Sequence, residues 1–301
     1  MIWMRVISIA VIWMMMACGE AAEPLARGAG EFDMRTLPPI SLPRDDGAHD
    51  ALTEWWYVTG HLETSEGEHV GFEFVIFKSM RTGAPTGYAA HFAITDVGSG
   101  SFNYAERTAS EPSVAADEEL NLCVGEWALR RVPAGFAIEA SSPENSLQLE
   151  LLPMKPAALH NETGLVDFSP FGWSYYYSYP RVKARGVWID SGLVRPVEGI
   201  AWIDHQWGDF ISVGTGGWDW FSIQLDGGID NVMQKATSWC QMNVALLKTG
   251  PAKKVEAKNI RVGILTRGHL PEFVENTLTS FCQRLLDAEL SIIIPENSTL
   301  L

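Results

Sequence analysis

Residues 54–79 read EWWYVTGHLETSEGEHVGFEFVIFKS. Large apolar side chains alternate with polar or small ones, the pattern breaks at SEGEH (residues 65–69), and it then resumes, which is the signature of a β-hairpin. Short runs of the same kind recur at YAAHFAITDV (88–97), WALRRV (127–132), GFAIEASS (135–142), SLQLELLP (146–153), GVWIDSGLV (186–194), GIAWIDHQW (199–207) and WDWFSIQLD (218–226). Helical periodicity is almost absent over residues 51–226, so the chain reads as all-β, a sandwich or barrel. The period of two also sorts side chains by face. Trp55 and Trp56 point to opposite sides, Glu54 shares the side of Trp56, and His61 falls on the other parity.

Residues 151–174, LLPMKPAALHNETGLVDFSPFGWS, lose the alternation and read as a long connection. This places a first domain over residues 51–160, with a linker and the start of a second over 161–228. Beyond residue 228 the composition changes: every Tyr and all but one of the 12 Trp precede Gly227, and LPEFVENTLTSFCQRLLDAEL (270–290) has helix-like spacing. Residues 229–301 are therefore expected to be a divergent ending, or one truncated or shifted in reading frame.

The 301 residues are 47% hydrophobic and carry a formal net charge of −15. That sign disfavours nucleic acid as a partner, because phosphate binding needs patches of Lys and Arg. The opening residues MIWMRVISIAVIWMMMACGEAAEP place Arg5 before a short apolar run, the pattern of an export signal over residues 1–18, with residues 19–50 as a tether. Met15-Met16-Ala17-Cys18-Gly19 resembles a bacterial lipobox, which makes Cys18 the expected lipidation point and the protein either a membrane-anchored lipoprotein or periplasmic. The other cysteines, Cys123, Cys240 and Cys282, are widely spaced and indicate neither a zinc knuckle nor a disulfide framework.

Chemistry concentrates in three stretches. In WSYYYSYPR (173–181) Tyr175 and Tyr177 share a face and Arg181 follows, suggesting either an ordinary half-packed strand or a pocket wall capped by a cation. In GIAWIDHQWGDF (199–210) Trp202, Asp204 and Gln206 share one face, and Ile203, His205 and Trp207 the other, until Gly208 permits a turn. In GWDWFSIQLDGG (217–228) Trp218, Trp220 and Ser222 point opposite to Asp219 and Phe221. An acid walled by indoles loses hydration and holds its proton near neutral pH, so it can serve as a general acid. Indole faces attract a positive charge by about 0.5–2 kcal/mol each. Together these suit protonation of a carbon–carbon double bond through a carbocation, although acids beside Trp also occur as hydrogen-bonded strand ends. Nucleophile elbow, HExxH, phosphate-loop and dinucleotide signatures are absent, and the seven His show no i,i+4 pair, so no metal site is expected.

EWWYVTGHL, HFAITDV, ALHNETG, SYYYSYPR, GIAWIDHQWGDF and GWDWFSIQLDGG, in that order, resemble the carotenoid 1,2-hydratase and AttH-like superfamily over about residues 50–227. The resemblance implies two lipocalin-like β-barrel domains in tandem and a cavity for a long apolar ligand, a polyene or lipid. It further implies addition of water across an isoprenoid double bond, with no cofactor. On this chain Asp204 or Asp219 would protonate the alkene, Trp207 and Trp220 would shield the cation, and His205 would position the water. Trp56, Tyr175, Tyr177, Arg181, Trp202, Trp218 and Trp220 would line the ligand site. The competing expectation is a non-catalytic lipid- or isoprenoid-binding lipoprotein.

Overall fold

The hairpin at residues 54–79 forms as its alternation predicts. Strands β1 (Thr53–Thr64) and β2 (His69–Ser79) pair antiparallel with Trp56 opposite Ile76, and Gly67 supplies the left-handed residue of the turn, with φ 83°. The computed structural model describes residues 33–110, 120–168 and 172–210, with the strand segments 218–225, 230–236, 242–245, 260–265 and 290–292. Among these residues the only helical elements are two 3-10 turns, Met34–Thr36 and Arg44–Asp46.

Ten more strands join the hairpin: β3 (Gly87–Asp96), β4 (Ser101–Ser110), β5 (Asn121–Val124), β6 (Trp127–Val132), β7 (Gly135–Ser141), β8 (Asn145–Pro153), β9 (Ala158–Leu159), β10 (Leu165–Asp167), β11 (Trp173–Asp190) and β12 (Leu193–Gly208). They form one antiparallel sheet in the order β4-β3-β2-β1-β12-β11-β8-β7-β6-β5, with β9 and β10 paired to β11. A second sheet, β15-β14-β13-β16-β17, contains β13 (Trp218–Leu225), β14 (Asp230–Ala236), β15 (Met242–Ala245), β16 (Ile260–Leu265) and β17 (Leu290–Ile292).

The large sheet rolls until β5 lies beside β3 and β4, giving a nearly closed barrel. Trp127 of β6 marks the closure: its ring lies 6.4 Å from Phe74 and 5.9 Å from Phe92, while the Arg107 guanidinium of β4 sits 5.1 Å above it. Inward residues of every strand from β1 to β8 except β4, and of β11 and β12, make one continuous core that includes Trp56, Phe74, Phe92, Trp127 and Trp188. Each such side chain contributes about 1.5–3 kcal/mol on leaving water.

The expected division near residue 160 does not follow this sheet. β11 and β12, assigned by pattern to the linker and second domain, lie between β8 and β1 at the centre of the first sheet. They form a long hairpin whose turn, Ser191-Gly192, has both residues at positive φ (50° and 85°), as a tight two-residue connection requires. Residues 151–174, expected to be connection, contribute the end of β8, the short strands β9 and β10 and the first residues of β11.

Gly208 also differs from expectation. It ends β12 opposite Thr53 rather than making a turn, and a Cβ there would lie 2.2 Å from the Trp173 carbonyl oxygen. Its lack of a side chain lets β12 approach the start of β11. The export segment with Cys18, residues 270–289 of the helix-like stretch, Cys240 and Cys282 lie outside the described residues, and Leu290 at its end begins β17; Cys123 carries a free thiol.

Candidate functional site

The central strands β11, β12 and β1 put rows of functional side chains on both faces of the sheet. Cross-strand register sets Tyr177 opposite His205 and His205 opposite Trp56; the next row on the same face is Tyr175, Trp207 and Glu54. On the other face Ser178 is opposite Asp204, and Asp204 opposite Tyr57. The alternation read from GIAWIDHQW therefore holds, and Asp204 and His205 occupy different environments.

On the inner face Glu54 is fully buried and collects donors. Its Oε1 lies 2.7 Å from His49 Nδ1 and 3.0 Å from His205 Nε2, and its Oε2 accepts from Lys78 Nζ at 3.1 Å and from the His49 backbone N–H at 3.0 Å. Burial alone would raise this carboxyl; its hydrogen bonds to His205 and His49 overcome that and hold it down at about 2. Behind His205, the Tyr177 hydroxyl lies 3.1 Å from Nδ1 and donates to Asp46 Oδ1 at 2.6 Å, while Arg131 pairs with the other Asp46 oxygen. Indoles clamp the imidazoles: Trp207 stacks on His49 at 4.0 Å and Trp56 on His205 at 4.7 Å. Tyr175 packs 5.0 Å from Trp207 and donates its hydroxyl to the Pro38 carbonyl.

On the outer face Asp204 is also buried. It accepts from Trp202 Nε1 at 2.6 Å, from the Tyr176 hydroxyl at 2.8 Å and from the Ser178 hydroxyl. Removal from water outweighs these three donors, and the carboxyl is pushed up to about 6. The second sheet covers this face: Trp220 of β13 donates its Nε1–H to the Tyr176 oxygen at 3.1 Å, its ring lies 6.2 Å from Trp202 and 5.6 Å from Tyr57, and Gln224 donates to the Pro180 and Ala201 carbonyls. His160 stacks on Tyr176 at 3.5 Å, contacts Ser178 Oγ at 2.9 Å and is held neutral by burial, down at about 3. Glu73 of β2, facing the Tyr57 hydroxyl, is pushed up to about 7 by burial. Gln206 donates to Ser174 Oγ at 2.8 Å, and its buried Oε1 has no hydrogen-bond partner among the described residues. The face thus combines an acid able to hold its proton, a second raised acid, an unused acceptor and four indoles or phenols.

The residues singled out in the sequence accordingly divide. Trp56, Tyr175, Tyr177, His205 and Trp207 come together inside the barrel; Trp202, Asp204 and Trp220 come together at the seam between the sheets. Arg181 lies within the irregularity where β11 shifts register between Tyr179 and Val182, its carbonyl accepting the Met154 N–H. Trp218 and Asp219 contribute backbone to β13, paired with Ala236 and Lys235, and their side chains lie outside the described residues. Sequence reasoning missed His49, Lys78, Asp46 and Arg131 on one face and Tyr176, Ser178, His160 and Glu73 on the other. ALHNETG and SYYYSYPR, which carry His160, Tyr176 and Ser178, were available as signals; His49 and Asp46 precede the first strand and have no periodic pattern.

The AttH-like family model matches residues 34–239. The crystal structure of an AttH protein from Nitrosomonas europaea superposes with a TM-score of 0.62 at 30% sequence identity, covering 68% of this chain and 67% of that one. Kievitone hydratase from Nectria haematococca shares the fold at 12% identity, with a TM-score of 0.52 over 70% of this chain and 65% of the hydratase. The chain thus spans about two thirds of the length of each. No curated protein matches. With a family model covering both polar faces and a solved relative of the same barrel, the chain belongs to the AttH-like family.

Proposed function

We propose that this protein binds a long apolar ligand, an isoprenoid, polyene or lipid, at the seam between its two sheets and adds water across a carbon–carbon double bond. The observation that carries the reading is Asp204: a buried carboxyl at about 6, set among Trp202, Trp220 and Tyr176. A carboxylic acid of that kind donates a proton to an alkene near neutral pH, and the surrounding π-faces stabilise the resulting tertiary cation. Water then adds and returns a proton to the site; the unused Gln206 oxygen is a suitable acceptor to orient that water. The other acid weighed from sequence, Asp219, keeps its place in the proposal as an alternative donor. His205, 3.0 Å from Glu54 on the opposite face, is left out of this chemistry. The likeness to kievitone hydratase supports the fold on which such a reaction is being placed.

A carrier without turnover is the second reading, favoured by the fact that Asp204 already accepts three hydrogen bonds and so has a structural use. Export, with a lipid anchor at Cys18, belongs to the same proposal and is supported by the sequence pattern alone. The test is incubation of the purified protein with acyclic carotenoids and shorter isoprenoids, followed by mass spectrometry. A product heavier by one water, lost in Asp204→Asn, supports hydration; ligand recovered unchanged from both proteins leaves the carrier.

A further inference from the structure

We infer that His49, Glu54 and His205 form a binding site for a divalent transition-metal ion of the zinc class, on the face of the sheet opposite Asp204. One ligand atom from each of the three lies within 4.8 Å of the other two. Two imidazole nitrogens and a carboxylate oxygen are a donor set that suits zinc and its neighbours and leaves a fourth tetrahedral position open.

The hydrogen-bond inventory around His205 carries the argument. Tyr177 has one proton to give, and Asp46 Oδ1 at 2.6 Å takes it, since Asp46 is paired with Arg131 and acts only as an acceptor. The Tyr177 oxygen is therefore able to accept from His205 Nδ1, 3.1 Å away. Nε2 faces Glu54 Oε1 at 3.0 Å, and in the metal-free protein it hydrogen-bonds to that oxygen. A divalent cation displaces the proton of that bond and takes both atoms as ligands, with the ring proton kept on Nδ1 toward Tyr177. His49 Nδ1 hydrogen-bonds to the same Glu54 oxygen at 2.7 Å, while its Nε2 lies 3.9 Å from Asp45 Oδ1, beyond hydrogen-bond reach.

The surroundings are those of a metal site. His205 has its far nitrogen within hydrogen-bond reach of the Tyr177 oxygen, which is how proteins fix tautomer and ring orientation in ligating histidines. Glu54 turns Oε1 to the imidazoles and gives Oε2 to Lys78, which is itself anchored on the His49 carbonyl. The stacked indoles of Trp207 and Trp56 hold both rings in plane. Glu54 and His205 are buried while the His49 side chain is 22% exposed, so an ion can enter past His49.

The test is titration of the metal-free full chain with Co²⁺, read by visible absorption, and then with Zn²⁺ as competitor. One equivalent of Co²⁺ with intense ligand-field bands, displaced by Zn²⁺ and weakened at least about tenfold in His49→Ala and Glu54→Gln, is the expected result. His49→Ala alters a partly exposed residue and keeps the barrel core intact, which circular dichroism verifies. ¹⁵N NMR of the His205 ring supplies the second readout. A proton on Nδ1 with an Nε2 resonance that moves on adding Zn²⁺ supports the site. A doubly protonated ring unmoved by Zn²⁺, or Co²⁺ binding equal in wild type and His49→Ala, overturns it. The outcome is independent of hydration, which is read with Asp204 variants.

Discussion

Asp204 and His205 are joined by a peptide bond and lie on opposite faces of β12, Asp204 under the second sheet and His205 inside the barrel. Each is served by its own partners: Tyr176, Ser178 and Trp202 for the acid, Tyr177 and Glu54 for the imidazole. A mechanism that uses both on one substrate would require the substrate to pass through the sheet. The proton donation proposed for the seam and the cation binding proposed for the barrel interior are therefore separable by single substitutions.

Tyr176→Phe tests the control of the acid. The Tyr176 hydroxyl donates to Asp204 and so lowers its pKa against the larger effect of burial. Removing it raises the Asp204 pKa further. For a general acid, activity is lost as pH rises through that pKa, so the alkaline limb of the hydration rate should lie near pH 6 in wild type and move to higher pH in Tyr176→Phe. A pH–rate profile on the two proteins checks it; an unmoved limb would assign the proton donor elsewhere.

Lys78→Met should be among the most damaging substitutions in the barrel. Lys78 is 6% exposed and pairs with the fully buried Glu54 at 3.1 Å. Truncating one partner leaves a buried charge unbalanced, at a cost of about 3–5 kcal/mol. Urea unfolding of wild type and variant measures the loss, and Glu54→Gln combined with Lys78→Met should recover part of it.

Much of this arrangement was legible in the sequence. The period of two in EWWYV and GIAWIDHQW placed Glu54 with Trp56 and separated Asp204 from His205 without any coordinates. The neighbours of those faces were not legible, because alternation gives the face of a side chain and not the strand beside it. That β12 pairs with β1 across more than 130 residues follows from how the chain returns to the sheet, and with it came the Glu54–His205 contact. His49 and Asp46 sit in a segment before β1 with no period at all, and their placement depends on bonds such as Trp56 Nε1 to the Asp46 carbonyl at 2.9 Å. The same limit explains why β11 and β12 were assigned to a second domain.

Gly199→Ala tests whether the β1–β12 pairing sets the geometry of both faces. A Cβ at position 199 would lie 1.9 Å from the His61 carbonyl oxygen and 2.8 Å from the Leu62 Cα, both backbone atoms of the facing strand. Neither can move without separating the strands. Destabilisation of at least about 1–3 kcal/mol is expected, as for overpacking elsewhere, measured by thermal or urea unfolding.

His160 and Asp204 both contact Ser178 and respond to pH in opposite senses. Asp204 rises on folding from 3.8 to about 6, so between those values the folded state holds a proton the unfolded state has released, and stability falls as pH rises. His160 drops from 6.5 to about 3, so over that range the unfolded state holds the extra proton, and stability rises with pH. Each contributes a slope of about 1.4 kcal/mol per pH unit, with opposite sign, and the two cancel between about pH 4 and pH 6. Relative to wild type, Asp204→Asn should therefore gain stability as pH rises through that window, because only the His160 contribution remains. His160→Phe, which keeps a ring stacked on Tyr176, should lose stability over the same window, because only the Asp204 contribution remains. Urea unfolding of the three proteins at half-unit pH steps checks both slopes, and subtracting wild type removes the titrations they share. Parallel curves for all three would mean that the seam is open to water and that neither group is held in the protonation state its burial dictates.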